Sequence, residues 1–293
     1  MLSVSLNITF SFPGTLYKNP PSDLEVAKTY PDFQYELDRF KSLLMVRHER
    51  RQATSFYKFG DGDYYFLKQK QVGSAKPGVR ALSKKLSRKS INTYREGAQN
   101  CDFYMCEIDS SNRRRFRKVI SRQLDFPAEF VYGLMASRWL LKTFSNRIGI
   151  IGADLKLDII KALINYEEVK KYYFNDSFVD YIKIPQKFAC DDLNLVRTSI
   201  LNQLSSATAT VFLVGVGHLK SAILHELPSI HPALYIDVGS GIDALAGIID
   251  TNRPYFGSWQ NFQIPDQSFY NGIDYLNFDF QNIHVLSSLN QNV

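Results

Sequence analysis

From residue 2 to residue 12, apolar and polar side chains alternate without a break. Leu2, Val4, Leu6, Ile8, Phe10 and Phe12 fall on one side, and Ser3, Ser5, Asn7, Thr9 and Ser11 on the other. A period of two belongs to a strand with one buried face, at a sheet edge or in an arm laid over a core. Pro13-Gly14 and Asn19-Pro20-Pro21 then signal loops. Residues 23–46 read as helix, interrupted near Pro31. Phe33, Leu37, Phe40, Leu43 and Leu44 hold helical spacing in its second part. Residues 55–59 predict a short strand. Pro77-Gly78 opens a basic amphipathic helix running through Leu82, Leu86 and Ile91. Residues 102–108 predict a buried strand, and 112–124 a very basic helix.

The second half is more regular. Apolar strands are predicted over 147–152, 179–184, 210–214 and 233–238, with helices over 155–166, 193–204 and 219–227 between them. Such alternation implies an α/β, Rossmann-like fold, a mostly parallel sheet with helices on both faces. The expected organisation is an N-terminal strand and helix over 1–50, a catalytic α/β domain over 51–262, and a tail over 263–293. The Asn/Gln-rich end after Phe278 reads as surface tail. There is no internal repeat.

At 293 residues, 45% hydrophobic and 14% aromatic, the chain can bury a sizeable core. Its net charge of +6 favours anionic partners. Cys101, Cys106 and Cys190 are odd in number and widely spaced. They suit neither a disulfide framework nor a zinc site, and point to a reducing compartment. The first residues lack a basic n-region, which argues against a cleaved signal peptide. No run approaches the roughly 18 apolar residues of a spanning helix. A cytoplasmic chain that touches membranes only at their surface is the expectation.

Three constellations carry candidate chemistry. Tyr57-Lys58-Phe59-Gly60-Asp61-Gly62-Asp63 places two carboxylates two residues apart between glycines. Read as a tight turn, it can aim both acids at one hard divalent cation, or leave them solvated. Gly215-Val216-Gly217 follows the strand over 210–214, with His218 and Lys220 in the first turn after it. Strand-end glycines let backbone amides approach a phosphate, or simply let helix pack on strand. In Tyr235-Ile236-Asp237-Val238-Gly239-Ser240-Gly241-Ile242-Asp243, Asp237 ends a strand. Asp243 follows in the turn as a reactive carboxylate or a helix cap.

These segments resemble the GT-D-type glycosyltransferases. Lys58 to Asp63 is similar to that family's R-F-G-D-G-E motif, with lysine for arginine and aspartate for glutamate. Gly215, Gly217, Asp237, Gly239 and Asp243 follow its later strand–Gly-x-Gly–helix and I-D-I-G pattern. The resemblance spans roughly residues 55–257. It implies sugar transfer from a nucleotide-diphosphate donor, a UDP-sugar, to a glycan hydroxyl. Asp61 and Asp63 would hold Mn²⁺ or Mg²⁺. Lys58, Gly60, Gly62, Gly215, Gly217, His218 and Lys220 would bind the donor. Asp243 is the preferred general base, and Asp237 the other candidate.

Arg253-Pro254-Tyr255-Phe256-Gly257-Ser258-Trp259 offers Tyr255 and Trp259 for stacking on a sugar or base, or for capping the core. Lys84, Lys85, Arg88 and Lys89, and then Arg113, Arg114, Arg115, Arg117 and Lys118, make solvated helix faces or a dock for an anionic membrane. No aromatics interleave with them, so nucleic acid ranks low. Two competing functions remain. One is an S-adenosylmethionine methyltransferase, whose glycine motif Ile236 to Gly241 imitates, though only about fifty residues follow it here. The other is a non-catalytic nucleotide- or glycan-binding module.

Overall fold

The computed structural model describes residues 33–69, 85–173, 178–248 and 267–270. The strand expected over 2–12, the Pro77-Gly78 helix start, Tyr255, Trp259 and the tail after Phe278 lie outside these residues.

In chain order the elements are α1 (Phe33–Glu49), β1 (Thr54–Phe59), α2 (Asp61–Leu67), α3 (Arg88–Gly97), β2 (Phe103–Cys106), α4 (Ser110–Arg117) and β3 (Phe126–Pro127). There follow α5 (Ala128–Ala136), α6 (Trp139–Thr143), β4 (Ile148–Ala153), α7 (Asp154–Leu163), α8 (Glu167–Tyr173), β5 (Asp180–Ile184), α9 (Leu193–Leu204) and β6 (Val211–Gly215). A 3₁₀ turn (Gly217–Leu219), α10 (Lys220–Ile223), α11 (Leu227–Ile230), β7 (Leu234–Asp237) and α12 (Gly241–Leu245) complete the sheet region. A second 3₁₀ turn, Gln267–Tyr270, lies apart from it in sequence.

Among the described residues, seven strands form one sheet in the order β3-β2-β1-β7-β6-β4-β5. Every pair is parallel. Parallel strands need crossover helices, which cover both faces, so the strands read as apolar runs rather than alternations. β1 and β4 are buried along their whole length.

One face is sealed by α1, α5, α6, α7, α8 and α12. There Leu37, Phe40 and Leu44 of α1 meet Phe56 of β1 and Phe130 of α5. The other face is sealed by α2, α3, α4, α9, α10 and α11, against Tyr57, Phe59, Phe212 and Tyr235. The chain leaves β1 and β6 toward this second face, into α2 and α10, but leaves β7 between them toward the first, into α12. A strand whose exit runs opposite to those of its neighbours opens a crevice at its carboxyl end, where open parallel sheets take ligands.

Several local expectations are corrected. The acidic segment is no β-turn: Asp61 opens α2, and Gly60, extended at φ −112°, stands just before it. Asp63 reaches back to accept the Gly60 N–H at 2.8 Å, which satisfies a donor at the helix start and favours helix over turn. Of the basic helix expected through Leu82, Leu86 and Ile91, residues 85–87 are not helical and α3 starts at Arg88, because Ser87 accepts the Ser90 N–H and caps it. The helix expected over 112–124 is α4, which starts at Ser110 and stops at Arg117. Asp109 caps it by accepting the Asn112 N–H at 2.9 Å.

Candidate functional site

All three sequence constellations meet on one side chain. The Lys220 ammonium lies 2.7 Å from Asp237 Oδ2 and 3.0 Å from Asp63 Oδ2. It also donates to the Lys58 carbonyl. An ammonium has three protons, and here three acceptors from β1, α2 and β7 take them. Its charge lies 4.8 Å from the Tyr57 ring centroid, whose hydroxyl bonds Ser221 Oγ at 2.7 Å. Burial opposes the charge on Lys220, but Asp237 and Asp63 outweigh burial and raise its pKa above the ordinary value. The sequence marked Lys220 as a donor contact. The structure instead spends its protons inside the protein.

Asp63 is buried, at 4% exposure. Its Oδ2 accepts from Gly60 and Lys220, and its Oδ1 lies 3.3 Å from His218 Nδ1. Burial would raise the carboxyl pKa, but Lys220 and His218 prevail and hold it well below the usual carboxylate range. The His218 ring stacks on Phe66, with centroids 4.5 Å apart and planes at 9°.

Both oxygens of Asp237 are engaged as well. Besides Lys220 it accepts the backbone N–H of Lys58 at 3.2 Å and of Gly239 at 3.1 Å. With both oxygens engaged, the Asp237 carboxylate braces the ends of β1 and β7 against α10, the bracing role open to it beside that of a base. Asp243, the preferred base, pairs with Lys156 at 2.5 Å at the start of α12. It stands apart from the Lys220 cluster.

Lys58 points to the opposite face of β1. Its ammonium donates to Tyr132 OH at 3.0 Å, and that hydroxyl lies 3.5 Å from Glu107 Oε1. Burial pushes the Lys58 pKa down. Glu107 Oε2 accepts from Asn112 Nδ2 at 2.5 Å. Tyr132, Glu107 and Asn112 were not marked in the sequence. Glu107 directly follows β2, and a strand-end acid is a usable signal. Tyr132 sits in α5, buried from Ala128 to Met135, where no amphipathic period exists to read.

The glycines divide. A β-carbon on Gly215 would fall 2.4 Å from Ile242 Cγ1 and 2.9 Å from the Gly239 carbonyl, so this glycine makes room for α12, not for a ligand. Gly60 is extended and would tolerate a side chain in ordinary contact. Gly217 is different: its φ is +55°, and a β-carbon there would meet nothing within 4 Å. It faces open space beside His218.

The described side chains do not fit a divalent-cation site as they stand. Both oxygens of Asp63 and of Asp237 face N–H donors of the chain, and no group of three His, Cys, Asp or Glu gathers among the described residues. The Asp61 side chain is outside the described residues, and Asp63 anchors the Gly60 N–H, Lys220 and His218. Comparisons with protein-family models, with curated proteins and with solved structures find no match to this chain. No helix among the described residues is long and apolar enough to cross a membrane.

Proposed function

We propose that this chain transfers a sugar from a nucleotide diphosphate to a glycan hydroxyl. One observation carries the reading: Asp63, His218, Lys220 and Asp237, from three separated motifs, form one bonded cluster at the carboxyl ends of β1, β6 and β7. The crevice where β7 exits opposite to its neighbours is where such sheets bind nucleotides. The order of the motifs, similar to that of the GT-D-type enzymes, and the net charge of +6 support an anionic donor.

In this reading the Gly217 backbone borders the donor diphosphate, and the loop after β7 borders the sugar. Lys58, held by Tyr132, supplies the cation for the departing diphosphate, while the charge of Lys220 is offset by Asp63 and Asp237 and serves to hold the three motifs together. Positive charge builds on the anomeric carbon as the bond to the diphosphate breaks. The carboxylates of Asp63 and Asp237 keep Lys220 charged and in place, whereas burial lowers the pKa of Lys58. The basic face of α4, with Arg114 and Arg117, would let the protein lie against an anionic membrane carrying the acceptor.

The test is nucleotide release from UDP-, GDP- and dTDP-hexoses with mono- and disaccharide acceptors, in EDTA and in Mn²⁺. Acceptor-dependent release, with a product heavier by one hexosyl group, is expected. No release from any donor in either condition would refute the reading.

A further inference from the structure

We propose that His218 is the general base that takes the proton of the acceptor hydroxyl, with Asp63 as its positioning residue. The inference rests on the glycosyl-transfer reading and replaces Asp237 and Asp243 in the base role. A base needs a lone pair that no other donor holds. Asp237 spends its oxygens on Lys220, Lys58 N–H and Gly239 N–H, and Asp243 is paired with Lys156.

His218 is built differently. Its Nδ1 faces the Asp63 carboxylate, which can only accept, so Nδ1 carries the ring proton and Nε2 keeps its lone pair in the neutral imidazole. No described residue bonds Nε2. Asp63 is in turn fixed by Gly60 N–H and Lys220, and the ring plane is fixed by Phe66. His218 is buried, at 8% exposure, and the Cε1–Nε2 edge of its ring passes Gly62, where a β-carbon would come within 3.1 Å of Cε1 and 3.7 Å of Nε2. Glycine at 62 therefore avoids crowding that edge. Gly217, which directly precedes His218, borders open space. A base, its orienting carboxylate and an anchor for the carboxylate are all present, in the arrangement that activates hydroxyls elsewhere in enzymology.

The step balances. The acceptor O–H bond breaks and its proton passes to Nε2. The acceptor oxygen forms the bond to the anomeric carbon, and the carbon–oxygen bond to the diphosphate breaks with its electron pair on the diphosphate. The imidazolium then returns the proton to water.

Two measurements test this. In ¹⁵N-labelled protein the neutral His218 ring should show the Nδ1–H tautomer, and Asp63→Asn should abolish that preference. An Nε2–H ring in the wild type would overturn the inference without any substrate. His218→Asn retains a donor near the Nδ1 position and removes Nε2. With the donor panel above, it should lower kcat by about 10²- to 10⁴-fold, with UDP affinity by calorimetry and the melting transition close to wild type. If the wild type turns over a donor and His218→Asn does so equally fast, the base assignment falls while glycosyl transfer stands. If the wild type turns over none, glycosyl transfer falls and the base assignment with it.

Discussion

Lys220 and Asp237 lie seventeen residues apart in sequence, yet their charged atoms are 2.7 Å apart and almost wholly buried. The pair closes the β6-to-β7 connection onto the end of the sheet. Through Asp63 and the Lys58 carbonyl it also locks in the end of β1. Two carboxylates share one ammonium, so its removal strands both.

Lys220→Met keeps most of the side-chain volume and deletes the charge. Breaking a buried pair from one side typically costs about 3–5 kcal/mol, because the remaining charge is left uncompensated. The upper part of that range is expected here, since two acids lose their partner. Adding Asp237→Asn should recover part of the loss in a double-mutant cycle. Denaturant unfolding measures both. A loss below about 1 kcal/mol would mean that water reaches the cluster and replaces the lysine.

The same cluster sets a pH dependence with opposite signs for its two kinds of member. The folded-state pKa of Asp63 is depressed. Its contribution to stability is therefore present above the unfolded value of about 3.9, and drains away as pH falls from about 4 toward the lower folded value. The folded-state pKa of Lys220 is raised. Its contribution is complete below about pH 10 and is lost as pH rises through the higher folded value. Unfolding free energies at mildly acidic and strongly acidic pH should fall more steeply for the wild type than for Asp63→Asn. Parallel curves would show that Asp63 is not held as described.

The parallel sheet was legible because buried strands such as residues 148–153 and 211–215 are short apolar runs closed by glycine or a helix start. Its two faces of helices followed from the alternation. α5 was not legible: Ala128 to Met135 is buried on every side, so it has no polar stripe to reveal a period of 3.6. The acidic motif was found but misread in shape. Two glycines and two aspartates look like a turn, but Asp63 reaching back to the Gly60 N–H, and held there by Lys220, makes the segment the first turn of a helix. That Lys220 joins three motifs could not be read, since contact between β6, β7 and β1 is set by strand order, not by spacing.

The glycines of the site should rank by their surroundings. Gly215→Ala drives a methyl group into Ile242 and the Gly239 carbonyl, and backbone cannot step aside. Overpacking of this kind costs roughly 1–3 kcal/mol. Gly239→Ala meets only the end of the Lys58 side chain, at 2.9 Å, but needs φ near +51°. Gly217→Ala meets no atom, and only its φ of +55° opposes it. The left-handed conformation costs about 1–2 kcal/mol. Gly215→Ala should thus be the most destabilised and Gly217→Ala the least, by thermal or denaturant unfolding. The reverse order would place Gly217 in a packed interior.

The last prediction concerns the divalent ion that the GT-D resemblance implies. For Asp63 to ligate Mn²⁺ it must accept a second cation beside the Lys220 ammonium, already 3.0 Å from its Oδ2. Two unit charges about 4 Å apart repel by on the order of 4 kcal/mol near a protein surface, and a divalent ion doubles this. The ion would also have to displace the Gly60 N–H or His218. Mn²⁺ binding followed by electron paramagnetic resonance should therefore be unchanged, within about threefold, in Asp63→Asn, a difference of less than about 0.7 kcal/mol. Lys220→Met should behave differently. It leaves two buried carboxylates and the Lys58 carbonyl around a vacated ammonium, a set of hard oxygens suited to Mn²⁺. That variant should bind Mn²⁺ more tightly than the wild type and recover stability when the ion is added. Tight wild-type binding that disappears in Asp63→Asn would show that the carboxylate leaves the lysine for the metal, and would restore Asp63 as a ligand.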